Sequence, residues 1–354
     1  MSDLDRLEAA SDTSDGMEHP VDGDRRPRRR MRRRTRWVLV AAVLLLVVPL
    51  AAVTGYGVYL ARVVSSNVQK ADLLPSAGGS GQPGAVAGSG EPGAVAVPGT
   101  GLNYLLVGSD AGPDRVGGRS DVMMLVHIPQ DRSNATFVHF PRDLYVDIPG
   151  HGKDKLNAAF AYGGTPLLVQ TLQQLTGAHV DHVALVGFEG FKAMTDAVGG
   201  VDVFVRESSD EYGVDFVAGT TTHMDGDTAL KFVRERHQLS QGDISRGQRQ
   251  QEFLKALMLK ALSADTLANP AQLASFIDAA SRNLTVDQGL DLGEAQQLAV
   301  SMRGVRGSDI RMITAPYTGF GTSPTGASID LVDSAKMAQL GHAIATDDLA
   351  SYNG

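Results

Sequence analysis

Apolar positions change character along the chain, and the changes divide it. Residues 1–36 are polar, acidic at first and then basic, with few large apolar groups, a composition that predicts disorder. Trp37–Leu60 is an apolar run long enough to cross a bilayer as one helix. Tyr56 and Tyr59 near its far end suit a membrane–water interface. Ala61–Leu74 reads as a helical or stalk continuation. Pro75–Thr100 is rich in Gly, Pro, Ala and Ser and repeats Pro-Gly-Ala-Val-Ala at Pro83 and Pro92, which predicts a flexible spacer completing a stalk-and-linker region over 61–100.

From Gly101 onward, short apolar runs interleave with segments of helical periodicity. Strands are predicted at Leu102–Val107, Val122–Ile128, Ala135–Phe140, Leu144–Ile148, His182–Val186, Val201–Val205 and Ile310–Ile313. Helices are predicted at Thr165–Leu175, Phe188–Val198, Asp225–Val233, Arg246–Leu262, Pro270–Ala280, Leu292–Met302 and Val332–Ile344. This order predicts an α/β domain over 101–345, an α/β/α sandwich on a mixed central sheet, preceded by one transmembrane helix at 37–60.

Charge gives the chain a direction. Nine of the twelve residues Arg25–Arg36 are arginine, directly against the apolar run. Arginine-rich flanks stay in the cytoplasm, so the expectation is a single-pass cell-membrane protein with its large domain outside. A cleaved signal peptide is the competing reading, but the run is long for one and no small-x-small cleavage site follows. The arginines could instead bind nucleic acid. Beside a membrane helix they serve more simply as an orientation signal that pairs with anionic lipid, so no nucleic-acid partner is expected. Beyond residue 36, 22 bases face 32 acids, so a tight arginine cluster in that acidic domain asks for a reason. With no cysteine, disulfides, thiol nucleophiles and Cys-ligated zinc are excluded.

Gly79–Gly84 and Gly88–Gly93 match G-x-G-x-x-G, but neither follows a strand nor opens a helix, so neither cradles a dinucleotide. Asp110 ends one predicted strand and Asp121 precedes the next. Two such carboxylates suit Mg²⁺ beside phosphate oxygens, and equally suit ordinary turn capping. Pro141-Arg142-Asp143 and Lys155-Leu156-Asn157, taken singly, read as solvated turns. His139 and His182, within or at the start of strands, read as structural.

The most informative stretch is Arg234-Glu235-Arg236 with Asp243, Arg246, Arg249 and Gln250. Arg234 and Arg236, two apart, share a side only in extended chain, which places them past a helix end. Asp243 is positioned to N-cap the next helix. On that helix Arg246, Gln250, Phe253, Leu254 and Leu257 share one face, so charged groups continue a core stripe. Buried arginine needs an anionic partner; a diphosphate would serve, and so would internal pairing to Glu235 or Glu252.

Seven segments, NYLLVGSDAG, RSDVMMLVHI, FPRDLYVDIPG, KLNAAFAYGG, LVGFEGFKAMTDAVGGVDV, MDGDTALKFVRER and GDISRGQRQQEFLKAL, occur in order between Leu102 and Leu262. Together they closely resemble the LytR-CpsA-Psr family of bacterial cell-wall glycopolymer transferases. The resemblance implies a phosphotransferase that moves a glycopolymer from a polyprenyl-pyrophosphate carrier to peptidoglycan, at a hydroxyl of N-acetylmuramic acid. By motif match, Asp110 and Asp121 would hold Mg²⁺. Arg119, Arg142, Arg234, Arg236, Arg246 and Gln250 would grip the pyrophosphate, with Arg119 and Arg142 at the reacting centre. Asp143 and Asp243 are the candidates for general base. The lipid tail would enter a hydrophobic tunnel between sheet and helices. Two positions depart from the pattern: Ala111 stands where many members carry Arg, with Arg115 nearby, and Val122 replaces a frequent Thr. A hydrolase using water as acceptor is the nearest alternative. A non-enzymatic regulator of cell-wall genes would need a folded cytoplasmic module, for which the short tail offers no core.

Overall fold

The structure, a computed structural model, describes residues 55–75, 101–109, 120–210 and 212–352. The chain divides into two units, Met1–Gly55 and Tyr56–Gly354, and the second is described here. The polar tail, residues 37–54 of the expected membrane span, most of the glycine-rich segment, Asp110, Ala111, Arg115 and Arg119 lie outside the described residues. Among the described residues no helix is long and apolar enough to cross a membrane.

Helix α1 covers residues 55–67. The strands β1 (Gln69–Ala71), β2 (Leu102–Ser109), β3 (Ser120–Ile128), β4 (Ala135–His139), β5 (Leu144–Ile148) and β6 (Gly152–Lys155) precede helix α2 (Leu156–Thr176). Then come β7 (His182–Gly187), α3 (Phe188–Ala197), β8 (Val201–Phe204), β9 (Thr221–Met224), α4 (Gly226–Arg234) and α5 (Asp243–Ala261). The chain closes with α6 (Ala264–Ala268), α7 (Pro270–Asn283), β10 (Leu284–Asp287), α8 (Leu292–Ser301), β11 (Ile310–Thr314), β12 (Tyr317–Thr322), β13 (Ser328–Val332) and α9 (Ser334–Ala345).

The main sheet is mixed, in the order β1-β10-β7-β2-β3-β4-β11. Strand alternation builds the layers around it. Leu105, Val107, Met123 and Val138 pack with Leu168 and Leu172 of α2 and Leu340 and Ile344 of α9. The opposite face, with Met124, Val126 and Phe137, packs against Leu254 and Met258 of α5 and Leu298 of α8. That is the expected α/β/α arrangement on a mixed sheet. Two smaller sheets, β12-β13-β5-β6 and β8-β9, stand apart from it.

Several elements differ from the sequence expectation. Strands β1, β6, β9, β10, β12 and β13 are short or polar, as in Gly-Lys-Asp-Lys of β6, and carry little apolar alternation to reveal them. Helix α2 starts at Leu156 rather than Thr165. Non-helical Gly163 and Gly164 kink it there, and the kink passes for a helix start. Helix α9 begins at Ser334, because Val332 closes β13 and the Asp333 side chain caps the helix by accepting from Lys336 N–H. Residues 56–75, expected as membrane end and stalk, belong to the folded unit. Tyr56 donates to the Pro270 carbonyl at 2.6 Å, and β1 pairs in parallel with β10. The domain also runs past residue 345: Leu349 and Tyr352 join the core.

Helix α9 crosses the end of α2 so closely that a Cβ on Gly341 would lie 1.6 Å from the Thr176 carbonyl oxygen. Relief would require main-chain movement. Gly341→Ala is expected to lower unfolding stability by about 1–3 kcal/mol, the range for overpacking, read by denaturant unfolding. An unchanged midpoint would mean that α9 does not seat as described.

Candidate active site

Three segments meet at the end of the sheet. The β4–β5 turn carries Arg142, whose Nη1 donates to Asp121 Oδ1 at 2.7 Å. Arg142 Nε lies 3.2 Å from Asp243 Oδ2 and 3.8 Å from Asp143 Oδ2. Asp121 follows Ser120, the residue paired with Ser109 across β2–β3. Asp243 is the first residue of α5, and its Oδ2 also accepts from Arg246 Nη2 at 2.8 Å. Arg236, in the α4–α5 connection, brings Nη1 to 4.0 Å from Asp243 Oδ1. Gly247 lets this helix start approach the sheet: a Cβ there would meet the His139 ring at 2.2 Å.

A cavity of about 370 Å³ opens beside these groups. One end carries Asp121, Arg142, Arg234, Arg236, Arg246 and Gln250. Apart from Tyr212 and His237, the rest is apolar: Leu106, Met124 and Val186 from the sheet, Phe191 and Met194 of α3, Leu230 of α4, and Phe253, Leu254 and Leu257 of α5. The helical stripe read from the sequence therefore does line one cavity, charged at its N-terminal end and apolar further on. The wall residues on β2, β7 and α3 carry no distinguishing signal, since cavity-facing and core-facing positions alternate identically along a strand.

Of the residues singled out in the sequence, Asp121, Arg142, Arg234, Arg236, Asp243, Arg246 and Gln250 come together here. Several details are corrected. Asp243 does not cap α5: Gly242, with φ +52°, holds the N-cap position, and the Asp243 carboxylate serves the arginines. Arg234 is the last residue of α4 rather than past its end, because the helix extends one residue beyond Val233. Its guanidinium stacks over the Phe188 ring at 4.9 Å. Arg249 points elsewhere, donating to Ser209 Oγ and the Glu207 carbonyl. Glu252 pairs with Arg206, and Arg246 pairs with Asp243, a partner the sequence did not suggest for it. Arg142 and Lys155 are not solvated turn residues: both are largely buried, and Lys155 Nζ lies 2.8 Å from Asp143 Oδ1.

Charge at this end is unbalanced. Four guanidiniums, those of Arg142, Arg234, Arg236 and Arg246, gather at this end, and among the described residues the carboxylates set against them are those of Asp121, Asp143 and Asp243, with Asp143 also held by Lys155. Burial lowers the Arg246 pKa despite Asp243, and Arg246 Nε and Gln250 Oε1 are buried without hydrogen-bond partners. Burial also pulls Arg142 down, but Asp243, Asp143 and Asp121 outweigh it and leave its pKa raised. Desolvation raises the Asp243 carboxyl against the pull of Arg246 and Arg142. An anion with several oxygens would satisfy the unpaired Arg246 Nε–H and the excess positive charge together, while Gln250 Oε1, an acceptor, calls for a donor instead. His139, fully buried, is pushed down to about 3 by burial and by Arg246, so it stays neutral and structural. His182 lies against Asp287 of β10 at 3.2 Å, also a structural contact.

Among the described residues no three acidic or histidine side chains cluster for a metal. Asp121 supplies one carboxylate of the kind Mg²⁺ takes, facing the cavity; its expected companion, Asp110, lies outside the described residues.

Asp330 of β13 was missed in the sequence, where a lone Asp in a short strand gives no sign. It is buried, with Oδ2 unpartnered. Burial, then Asp143 and Asp243, raise its pKa to about 6, with Lys155 opposing.

The LytR_cpsA_psr family model matches residues 90–345. The chain is 33% identical over 278 residues to the cell wall biosynthesis protein LcpA of Corynebacterium glutamicum, covering 65% of this chain and 53% of that protein. It is 40% identical over 220 residues to the probable cell wall biosynthesis protein LcpB of the same organism, covering 58% and 52%. The chain thus spans about half the length of these two relatives. A polyisoprenyl-teichoic acid–peptidoglycan teichoic acid transferase, TagU of Enterococcus faecalis, is 31% identical over 242 residues, covering 68% of this chain and 77% of that one. Among solved structures, TagT bound to LI-WTA aligns with TM-score 0.58 at 30% identity, covering 71% of this chain and 91% of that one.

Asp330 gives a pH test. An unperturbed Asp titrates near 3.8, and the native one near 6. Between those values the native state holds a proton that the unfolded state has lost, so this group's contribution falls as pH rises through the window and is flat above it. Relative to wild type, Asp330→Asn should gain about 1–3 kcal/mol between pH 4 and pH 7. Urea unfolding at both pH values checks this; parallel behaviour of the two proteins would refute the buried carboxyl.

Proposed function

The chain belongs to the LytR-CpsA-Psr family, and from that premise we propose that it transfers a glycopolymer from a polyprenyl-diphosphate carrier to a hydroxyl of peptidoglycan. The carrying observation is the cavity: arginines at one end, and beyond them an apolar channel between sheet and helices. That combination fits a molecule with a diphosphate head and a hydrocarbon tail. The names of its relatives, cell-wall biosynthesis proteins and a teichoic acid transferase, support the same class of reaction.

Arg142, Arg234, Arg236, Arg246 and Gln250, with Arg119, grip the diphosphate oxygens. Asp243 holds Arg142 and Arg246 in place before the donor arrives. Asp121, with Asp110, would hold Mg²⁺, whose charge would offset that of the diphosphate. The acceptor hydroxyl oxygen bonds to the phosphorus that carries the sugar polymer. The bond from that phosphorus to the bridging oxygen breaks, and polyprenyl phosphate leaves with the electron pair. The hydroxyl proton passes to a carboxylate beside Arg142, where both Asp143 and Asp243 stand. The arginines stabilise charge building on the bridging oxygen. In this reading the run Trp37–Leu60 anchors the chain in the cell membrane, with the arginine-rich tail in the cytoplasm and the domain outside. The donor is already activated, so no nucleotide is required there.

Arg236 is the cleanest probe, because its side chain is 42% exposed and only loosely paired. Arg236→Ala should lower kcat/KM by about 10²-fold, the scale for losing one transition-state donor, with Tm unchanged. Full activity in this variant would remove the diphosphate assignment. Asp121→Asn should abolish stimulation by Mg²⁺; persistent stimulation would refute the metal role. Product analysis with and without peptidoglycan separates transfer from hydrolysis.

A further inference from the structure

Arg142 belongs to the walls of two cavities, and among the described residues it is the one lining residue they share. The second, of about 360 Å³, is bounded besides Arg142 by Asp143, Asp154, Lys155, Asn157 and Tyr162, with Ala158 and Ala161 between them. Its wall is markedly more polar than that of the apolar channel. Charged and polar side chains make up far more of this wall than of the channel's, so a hydroxyl-rich ligand finds donors and acceptors beside small apolar patches.

Tyr162 is the unusual member. It keeps 49% of its surface exposed in a domain poor in aromatic residues, yet it is held in place from two directions. Its hydroxyl donates to Asp154 Oδ2 at 2.6 Å, and the His151 ring stacks on it at 4.7 Å with planes 16° apart. The backbone adds a third constraint, since the first segment of α2 ends directly after it at Gly163. A fixed, exposed aromatic ring at a polar cleft presents an apolar face to the C–H face of a pyranose. On the same cleft, Asp143 is fixed by Lys155 Nζ at 2.8 Å and lies 3.8 Å from Arg142 Nε. A sugar lying on Tyr162 therefore shares its cleft with a carboxylate that stands next to the guanidinium that would hold the donor's phosphate.

We infer that this cleft is the subsite for the acceptor sugar, a pyranose with a free primary hydroxyl, with Tyr162 as its platform and Asp143 as the acceptor of its hydroxyl hydrogen bond. The inference rests on the transfer reading above and selects Asp143 over Asp243 as the proton's destination. As the hydroxyl oxygen bonds to phosphorus its proton passes to Asp143, while the electron pair of the broken P–O bond leaves on polyprenyl phosphate. Donor and acceptor thus approach Arg142 through separate cavities.

The test is calorimetric titration of the full-length protein in detergent with a soluble oligomer of alternating N-acetylglucosamine and N-acetylmuramic acid. Tyr162→Ala should weaken oligomer binding by about tenfold, and Tyr162→Phe should retain most of it. Affinity for polyprenyl diphosphate should be the same in all three proteins. In turnover, the acceptor KM should rise in Tyr162→Ala with kcat little changed. An oligomer that fails to bind wild type, binding indifferent to Tyr162→Ala, or a loss of donor affinity in that variant would each overturn the assignment. Because binding is read without turnover, Tyr162-dependent glycan binding in a protein that transfers nothing would keep the sugar subsite and defeat the transfer reading.

Discussion

The end of the sheet is organised by the need to keep Arg142 charged while most of its side chain is out of water. Burying a guanidinium is costly unless carboxylates accompany it. Here they come from three places: Asp121 at the start of β3, Asp143 in the same turn, and Asp243 at the start of α5. Each is far from the others in sequence. The charge balance is therefore met only when strand, turn and helix are assembled, and the requirement fixes their mutual position. Gly247 allows the close contact with His139 that brings the helix start near enough.

That constraint also explains how one cavity combines two chemistries. Helix α5 runs from the carboxylate cluster along the sheet, so its cavity-facing stripe changes from Arg246 and Gln250 to Phe253, Leu254 and Leu257 within about three turns. The sheet supplies the opposite wall with Leu106 and Met124, neighbours by cross-strand pairing. A head-and-tail ligand can then be read by position along a single helix. The acidic character of the domain sharpens this, because the arginine cluster is a local exception within it.

Much of this was legible in the sequence where a period or a charge anomaly carried it. The strands of the sheet centre, β2, β3, β4 and β7, stood out because they are apolar and bounded by turns. The helical phase of Arg246 and Gln250 indicated a charged end to a buried stripe, and the structure brings those two residues to the cavity. Edge strands such as β6 and β12 gave no such signal, since their pairing rests on backbone hydrogen bonds and not on side-chain pattern. The partnership of Asp243 with Arg142 is a tertiary fact: local rules favour Asp at a helix start, but cannot say whether it caps the helix or faces an arginine. Asp330 and Tyr162 were silent for the same reason, their surroundings being built by residues distant in the chain.

The pairing of β1 with β10 changes the meaning of the glycine-rich segment. Strand β1 ends at Ala71 and β2 begins at Leu102, and both belong to the seven-stranded sheet. Lys70 Nζ reinforces the first attachment by donating to the Leu290 carbonyl at 2.7 Å, and Asn67 does so through Asp278 at 3.0 Å. Residues 76–100 thus leave and rejoin one sheet. Changing their number would alter a connection between two strands of one folded unit, while the attachment of β1 and of helix α1 ahead of it would stay as it is.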